Sequence, residues 1–284
     1  MQLMYWRSRV LFTAILFAAG TLNVLEAQPK VTLAPLDGSF APALTAAVPS
    51  DPSFQASIEN LISPAVLPAF KPILPYSIVV RNHSSIAVVA FIAYVDIVDA
   101  EGHSGSDMQA SGNIPPYDKN DFLLAPGKEM LLTADRQYGG EFIRLVRQAI
   151  TWPDARLEQL AQRPLERYAS AASITFTLDS VVFADGKFVG PDKPHAFGGL
   201  ASRVATEAKF ARAVLAFQGH KPDEILQYLA TAASALEPHQ SDGSVTTAQL
   251  ARQYLLVLKE KGPKAVLDRA ATDLELATAF SIHR

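Results

Sequence analysis

The hydrophobic period of the chain changes along its length, and this change limits the folds that the chain can adopt. Between Tyr76 and Val189, apolar and polar residues alternate in runs that end at turn signals such as Asp185-Gly186. A period of two is typical of β-strands. After Gly198-Gly199, apolar residues recur three and four positions apart, as on one face of an α-helix. We therefore predict an α+β protein in which an antiparallel β-sandwich precedes a C-terminal α-helical bundle.

The same pattern divides the chain into four segments. We predict a signal peptide at 1–27, a proline-rich arm at 28–75, the sandwich at 76–192 with a helical insertion at about 139–170, and a helical region at 197–284. The arm holds nine of the nineteen prolines, which interrupt both helices and strand ladders, so we expect it to be mostly extended. Asp51-Pro52 is an N-cap and first-turn signal, which predicts one short helix at Pro52–Ile62.

The N-terminal residues are typical of a secretory signal. Arg7 and Arg9 precede an apolar run, and Leu25-Glu26-Ala27 offers a small residue at a cleavage point. We predict cleavage after Ala27, with Ala19 or Gly20 as alternatives, and export to the periplasm or the extracellular space. An uncleaved membrane anchor is the other reading, but the run is shorter than the roughly 20 apolar residues of a membrane span. We therefore predict no stable membrane span after cleavage.

Composition excludes several chemistries. The chain contains no cysteine, which excludes disulfides, thiol nucleophiles and cysteine-bound zinc. The net charge is -3 and no basic block occurs, so we expect no nucleic-acid partner. The phosphate-binding glycine motifs are also absent from the sequence, and we predict no cofactor.

Carboxylates form the only candidate metal or ligand site. They fall in two groups, one at the end of the long strand and one around the Asp185-Gly186 hairpin; the weak candidates are Asp96, Asp99, Glu101, Asp179 and Asp185. Loop carboxylates can bind calcium, but no calcium-loop motif is present, and aspartate also stabilises turns by itself. Asp179 is unusual because strands disfavour aspartate. The six histidines show none of the spacings of a zinc site, so we predict no metal ligand among them.

No catalytic residue is predicted. The run Gly102-His103-Ser104-Gly105-Ser106 is superficially similar to a nucleophile elbow, but it has serine where the motif needs its second glycine. It also lacks the strand-to-helix setting, so we expect a polar loop from His103 to Lys119.

The order of the motifs resembles an immunoglobulin- or fibronectin-type module. It runs from VVRN through a long apolar strand and LAPGKEML to SITFTLDSVVFADGKFVGPD. With the alanine-rich helices that follow, the pattern from Tyr76 to Phe217 resembles uncharacterised exported bacterial proteins with an Ig-like sandwich and a helical C-terminal region. The chain departs from antibody domains in lacking the disulfide and the strand tryptophan, since Trp152 lies in the insertion. The resemblance implies an Ig-like fold and no known activity.

These observations predict an exported, non-enzymatic protein that acts through protein–protein contacts in the cell envelope, with a protein partner of unknown identity. The alternative is an exported hydrolase or carbohydrate-binding protein whose site is assembled from the loop carboxylates of the sandwich. Convergence of those carboxylates in one cleft would distinguish the two hypotheses.

Overall fold

The structure is a computed structural model, which describes residues 29–112, 122–148, 152–235, 246–280 and 282–284. The predicted signal peptide and its cleavage points lie outside the described residues. Within them the chain is a mixed α+β protein with two sheets. The strands are β1 (Lys30–Leu33), β2 (Leu44–Ala47), β3 (Ser77–Asn82), β4 (Val88–Asp99), β5 (Ser104–Gly112), β6 (Glu129–Thr133), β7 (Ala171–Phe183) and β8 (Phe188–Val189).

The larger sheet has the order β1-β7-β4-β5, with β8 paired to β7. The smaller sheet has the order β2-β3-β6 and is antiparallel. In the larger sheet β1 runs parallel to β7, whereas the other pairs are antiparallel. This sheet is therefore mixed, and the prediction of a purely antiparallel arrangement is wrong at β1.

One apolar core lies between the two sheets. Side chains of both inner faces meet there, among them Ile78, Leu132, Phe91, Phe176 and Val181. The long strand β4 is irregular, since its register with β7 shifts between Ile92 and Ala93.

The proline-rich segment contributes to both sheets. We predicted an extended arm here. In the structure two short strands of this segment join the sheets: β1 pairs with β7, and β2 pairs with β3. The predicted short helix is confirmed as α1 (Pro52–Leu61), which buries Phe54 and Ile58 in the shared core. Each such burial contributes about 1.5–3 kcal/mol, which fixes the segment to the smaller sheet.

One strand was missed by the sequence analysis. We expected a polar loop from His103 to Lys119, but β5 occupies Ser104–Gly112 and pairs with β4 along its whole length. The loop prediction is therefore wrong for these residues. The strand lies at the edge of the larger sheet, where exposed polar side chains replace the apolar alternation.

The remaining helices are α2 (Leu67–Phe70), α3 (Arg136–Gln148), α4 (Asp154–Ala161), α5 (Glu166–Ala169), α6 (Ala196–Leu215), α7 (Pro222–Ser234) and α8 (Thr247–Ala279). Helices α3 to α5 form the insertion between β6 and β7. Thr246 caps α8 in a capping box with Gln249. None of the described helices has the length and apolarity required to cross a bilayer.

The helical region has its own core and a second contact with the larger sheet. Phe210, Leu229 and Tyr254 lie in the core between α6, α7 and α8. Gly262, with φ +82°, breaks the helical backbone of α8 directly before Pro263. Beyond this break Ala277 packs with residues of the larger sheet and of α6.

Candidate functional site

Two of the predicted carboxylates meet a histidine in the turn between β4 and β5. One ligand atom from each of Asp99, Glu101 and His103, which we call the turn cluster, lies within 4.8 Å of the others. One carboxylate oxygen of Asp99 accepts the backbone N–H groups of Glu101 (3.0 Å) and His103 (2.8 Å), and the other lies 3.0 Å from His103 Nδ1. Both oxygens therefore hold the turn closed.

The pKa of Asp99 reflects the same contacts. Partial desolvation acts to raise it, but the hydrogen bonds from His103 and Glu101 outweigh that effect and hold the pKa below its ordinary value. The cluster lies at the surface, and its hydrogen bonds match those of a self-stabilised aspartate turn.

Asp179 has a structural explanation. Its side chain is fully buried in β7, where it accepts a hydrogen bond from the hydroxyl of Ser180 (2.6 Å) and one from the backbone N–H of Lys193 (3.2 Å). A buried carboxylate needs such donors, and these tie the segment after β8 to the sheet.

The predicted carboxylates do not converge in one cleft. Asp99 pairs with Ala171 at one end of β7, whereas Asp185 follows Phe183 at the other end. At about 3.3 Å per residue, the two ends of this strand are roughly 40 Å apart. Asp96 lies on β4 between Ser106 and Thr175, near the turn cluster but far from Asp185.

A cleft that the sequence analysis missed lies between β5 and the helical insertion. Its volume is about 710 Å³, and its walls come from β5, from the first turns of α3 and from the segment between α4 and β7. The lining residues are Ser106, Asp107, Met108, Asp135, Arg136, Gln137, Gly140, Glu141, Arg144, Arg163 and Tyr168.

The cleft opens onto the edge of β5. Consecutive side chains of a strand point to opposite faces, so three consecutive residues can line one cleft only along the strand's edge. Ser106, Asp107 and Met108 do so here.

The backbone groups along this edge follow from the register. The N–H of Asp99 donates to the carbonyl of His103 (3.0 Å), so this opposed pair is a hydrogen-bonded one. Pairs alternate along an antiparallel ladder, and Ser106 and Met108 therefore belong to non-hydrogen-bonded pairs. Their N–H and C=O groups point away from β4, and no backbone group in the described part of the chain pairs with them.

Asp135 forms one part of the cleft floor. Its side chain is only 8% exposed, and one oxygen accepts the N–H groups of Gln137 (2.8 Å) and Tyr138 (3.3 Å), as an N-cap of α3 does. The other oxygen accepts Arg163 Nε at 2.9 Å. Asp135 thus joins the start of α3 to the far wall of the cleft.

Glu141 forms the other part of the floor. Its side chain is 12% exposed, and its two oxygens accept one N–H each from Arg144 and Arg156, both at 2.5 Å. The guanidinium of Arg156 also lies over the ring of Trp152, 5.8 Å from its centroid. One carboxylate therefore holds two guanidinium groups.

Positive charge exceeds negative charge around the cleft. In the part of the chain that the structure describes, five guanidinium groups line it or pair with its lining residues and three carboxylates face them, an excess of two. The arginines are Arg136, Arg144, Arg156, Arg163 and Arg167, and the acids are Asp107, Asp135 and Glu141. Among the described residues Arg136 makes no ion pair.

Tyrosine does not add charge to the cleft. Burial, followed by the negative charge of Asp135, raises the pKa of Tyr168 above its ordinary value, so its hydroxyl stays protonated at neutral pH. The cleft has the chemistry of an anion-binding surface. A guanidinium binds a carboxylate through paired N–H donors.

No family model, curated protein or solved structure matches the chain.

Proposed function

We propose that this is an exported, non-enzymatic protein that acts through protein–protein contacts in the cell envelope, by adding an extended segment of its partner to the free edge of β5. We further propose that the two sheets form an Ig-like sandwich. Secretory export follows from the N-terminal pattern, with cleavage near Ala27.

The edge of β5, which pairs with no strand among the described residues, carries the proposal. The strand has nine residues, its outward N–H and C=O groups lack a backbone partner in the described chain, and an open cleft runs beside it. Such an edge is a template for another strand, and proteins that avoid pairing usually block it with lysine, proline or a bulge. β5 has none of these.

The carboxylates support this function over the alternative. A hydrolase or carbohydrate-binding site built from the sandwich carboxylates needs several of them in one cleft, whereas the carboxylates at the Asp99 end of β7 lie far from Asp185 at its other end. The turn cluster alone has its aspartate committed to turn hydrogen bonds.

A photo-crosslinking amino acid at Met108 tests the proposal in the native envelope. The matched control carries it at Leu226 in α7, because the two side chains are 49% and 48% exposed. We expect defined adducts from position 108 that are absent from position 226. No adduct at 108, or the same adducts at both positions, would refute strand addition.

A matched pair of substitutions shows whether the backbone edge is responsible. Ser106→Pro removes an outward N–H without removing a bond to β4, since proline is tolerated on an edge strand at such a position. Ser106→Ala keeps the N–H. We expect the adducts at Met108 to disappear in the proline variant and persist in the alanine variant, and loss in both would contradict a backbone contact. Mass spectrometry of the exported protein tests the export step, with Gln28 expected as its first residue.

A further inference from the structure

We propose that the segment bound along β5 is acidic, and that its carboxylates bind the guanidinium groups of Arg136 and Arg144 in the adjoining cleft. This inference rests on the proposed strand addition at β5. It names the chemistry of the partner. The strand edge alone does not specify that chemistry, because backbone pairing is independent of sequence.

Two of the three acids of the cleft, Asp135 and Glu141, are largely buried, whereas Asp107 is 44% exposed and pairs with Arg167. The side chain of Glu141 is 12% exposed, whereas that of Arg144, which binds it, is 51% exposed. A guanidinium has five N–H donors, and the structure assigns a single N–H of Arg144 to Glu141. Arg144 lines the cleft, and its other donors make no hydrogen bond to the described residues, so they are available to a ligand there.

The stability of α3 does not explain why an arginine, Arg136, stands at its first position. The helix dipole disfavours positive charge there, and Arg136 makes no ion pair with the described residues. It is exposed and lines the cleft beside Ser106 and Met108. A residue that weakens its own helix and faces an open cleft fits a binding role.

The strand geometry determines how the acids must be spaced. A segment added to β5 would lie about 4.8 Å from it, on the side where the cleft opens. Its alternate side chains point to the same face, roughly 6.7 Å apart. Acidic residues at every second position would therefore face the arginines together, each forming a charge-assisted hydrogen bond.

The probe is a labelled nine-residue peptide, Thr-Glu-Val-Glu-Thr-Glu-Val-Glu-Thr, with a control in which glutamine replaces each glutamate. Fluorescence anisotropy on the full exported chain gives the Kd. We expect the acidic peptide to bind at least about tenfold more tightly, with an affinity that falls as salt rises.

Charge-removing variants locate the contact. Arg136→Gln and Arg144→Gln should each weaken the acidic peptide about three- to tenfold and leave the glutamine peptide unchanged. Arg212→Gln in α6 is the matched control, with the same change of charge at an exposed site outside the cleft, and should have no effect. Thermal melting should show Arg136→Gln to be at least as stable as the parent, so weaker binding cannot come from unfolding.

The outcomes separate the two proposals. Equal affinity for both peptides, with loss of both in Ser106→Pro, would overturn the acidic partner and leave strand addition intact. Acidic-peptide binding that is unaffected by Ser106→Pro would overturn strand addition. Displacement of the acidic peptide by millimolar glutarate or inorganic phosphate would show that a free anion is the ligand and would refute a peptide partner. Tighter binding of a single-stranded oligonucleotide would refute it as well.

Discussion

Replacing Asp135 tests the architecture of the cleft, because this residue joins two of its walls. Asp135→Ala removes the acceptor of the Gln137 and Tyr138 N–H groups and the partner of Arg163. Loss of an N-cap costs about 1–2 kcal/mol. The ion pair adds about 1 kcal/mol at most, because the arginine side chain is 31% exposed and solvent screens it.

Asp135→Asn separates the two contributions. Asparagine is as good an N-cap as aspartate, so this variant should lose only the ion pair and its free energy of unfolding should fall by about 1 kcal/mol or less. The alanine variant should lose about 1–3 kcal/mol. At about 2–4 °C per kcal/mol for a chain of this size, its Tm should fall by roughly 2–12 °C.

Urea denaturation followed by tryptophan fluorescence measures these differences, and hydrogen exchange locates them. The amide of Tyr138 should exchange faster in the alanine variant and at the parental rate in the asparagine variant. Equal destabilisation by both substitutions would show that charge, and not capping, holds α3 in place. No destabilisation by either would refute the proposed link between the two walls.

Three further predictions concern other parts of the molecule. Burial raises the pKa of Glu207 above its ordinary value of 4.5, so the folded protein binds this proton more tightly and stability falls as pH rises above about 4.5. In urea titrations Glu207→Gln should reduce the loss of unfolding free energy between pH 4.5 and 7. Glu260→Gln, at an exposed site, should not. Gly190→Ala should lower the Tm by at least about 6 °C, because its φ is +113° and the added carbon would lie 2.0 Å from a backbone carbonyl oxygen. Gly198→Ala, with open space around it, should raise the Tm slightly; a matching loss there would contradict the steric argument. Calcium or zinc at 1 mM should shift the Tm by less than about 1 °C, since turn hydrogen bonds occupy the aspartate of the turn cluster, and a larger shift that Asp99→Asn abolishes would establish a metal site.

The elements that local chemistry determines could be predicted from the sequence. The Asp51-Pro52 signal marked the start of α1, and Gly262-Pro263 marked the break in α8. The hairpin at Asp185-Gly186 followed from its turn residues, and the pairing of β7 with β8 confirms it. In each case the residues that carry the signal lie within a few positions of the element that they mark.

The features that depend on distant partners could not be predicted. β1 pairs with β7, so Val31 lies beside Ile174, and no local pattern specifies that contact or its parallel direction. β5 was missed because an edge strand with polar side chains has no apolar alternation. The cleft depends on the contact of Arg163 with Asp135, which lies at the other end of the helical insertion, and along the sequence its charges resemble those of an ordinary solvated helix face.

The break at Gly262 makes α8 serve two purposes. The part before it belongs to the helical region, through residues such as Tyr254, while Ala277 and Phe280 beyond it rest on the larger sheet. Val266 and Ala270 still lie in the helical core, so the second part spans both. The second part is a helix about 25 Å long that connects the helical core to the larger sheet. Exchanging the helical region for another would therefore require matching the sheet surface on which this helix ends.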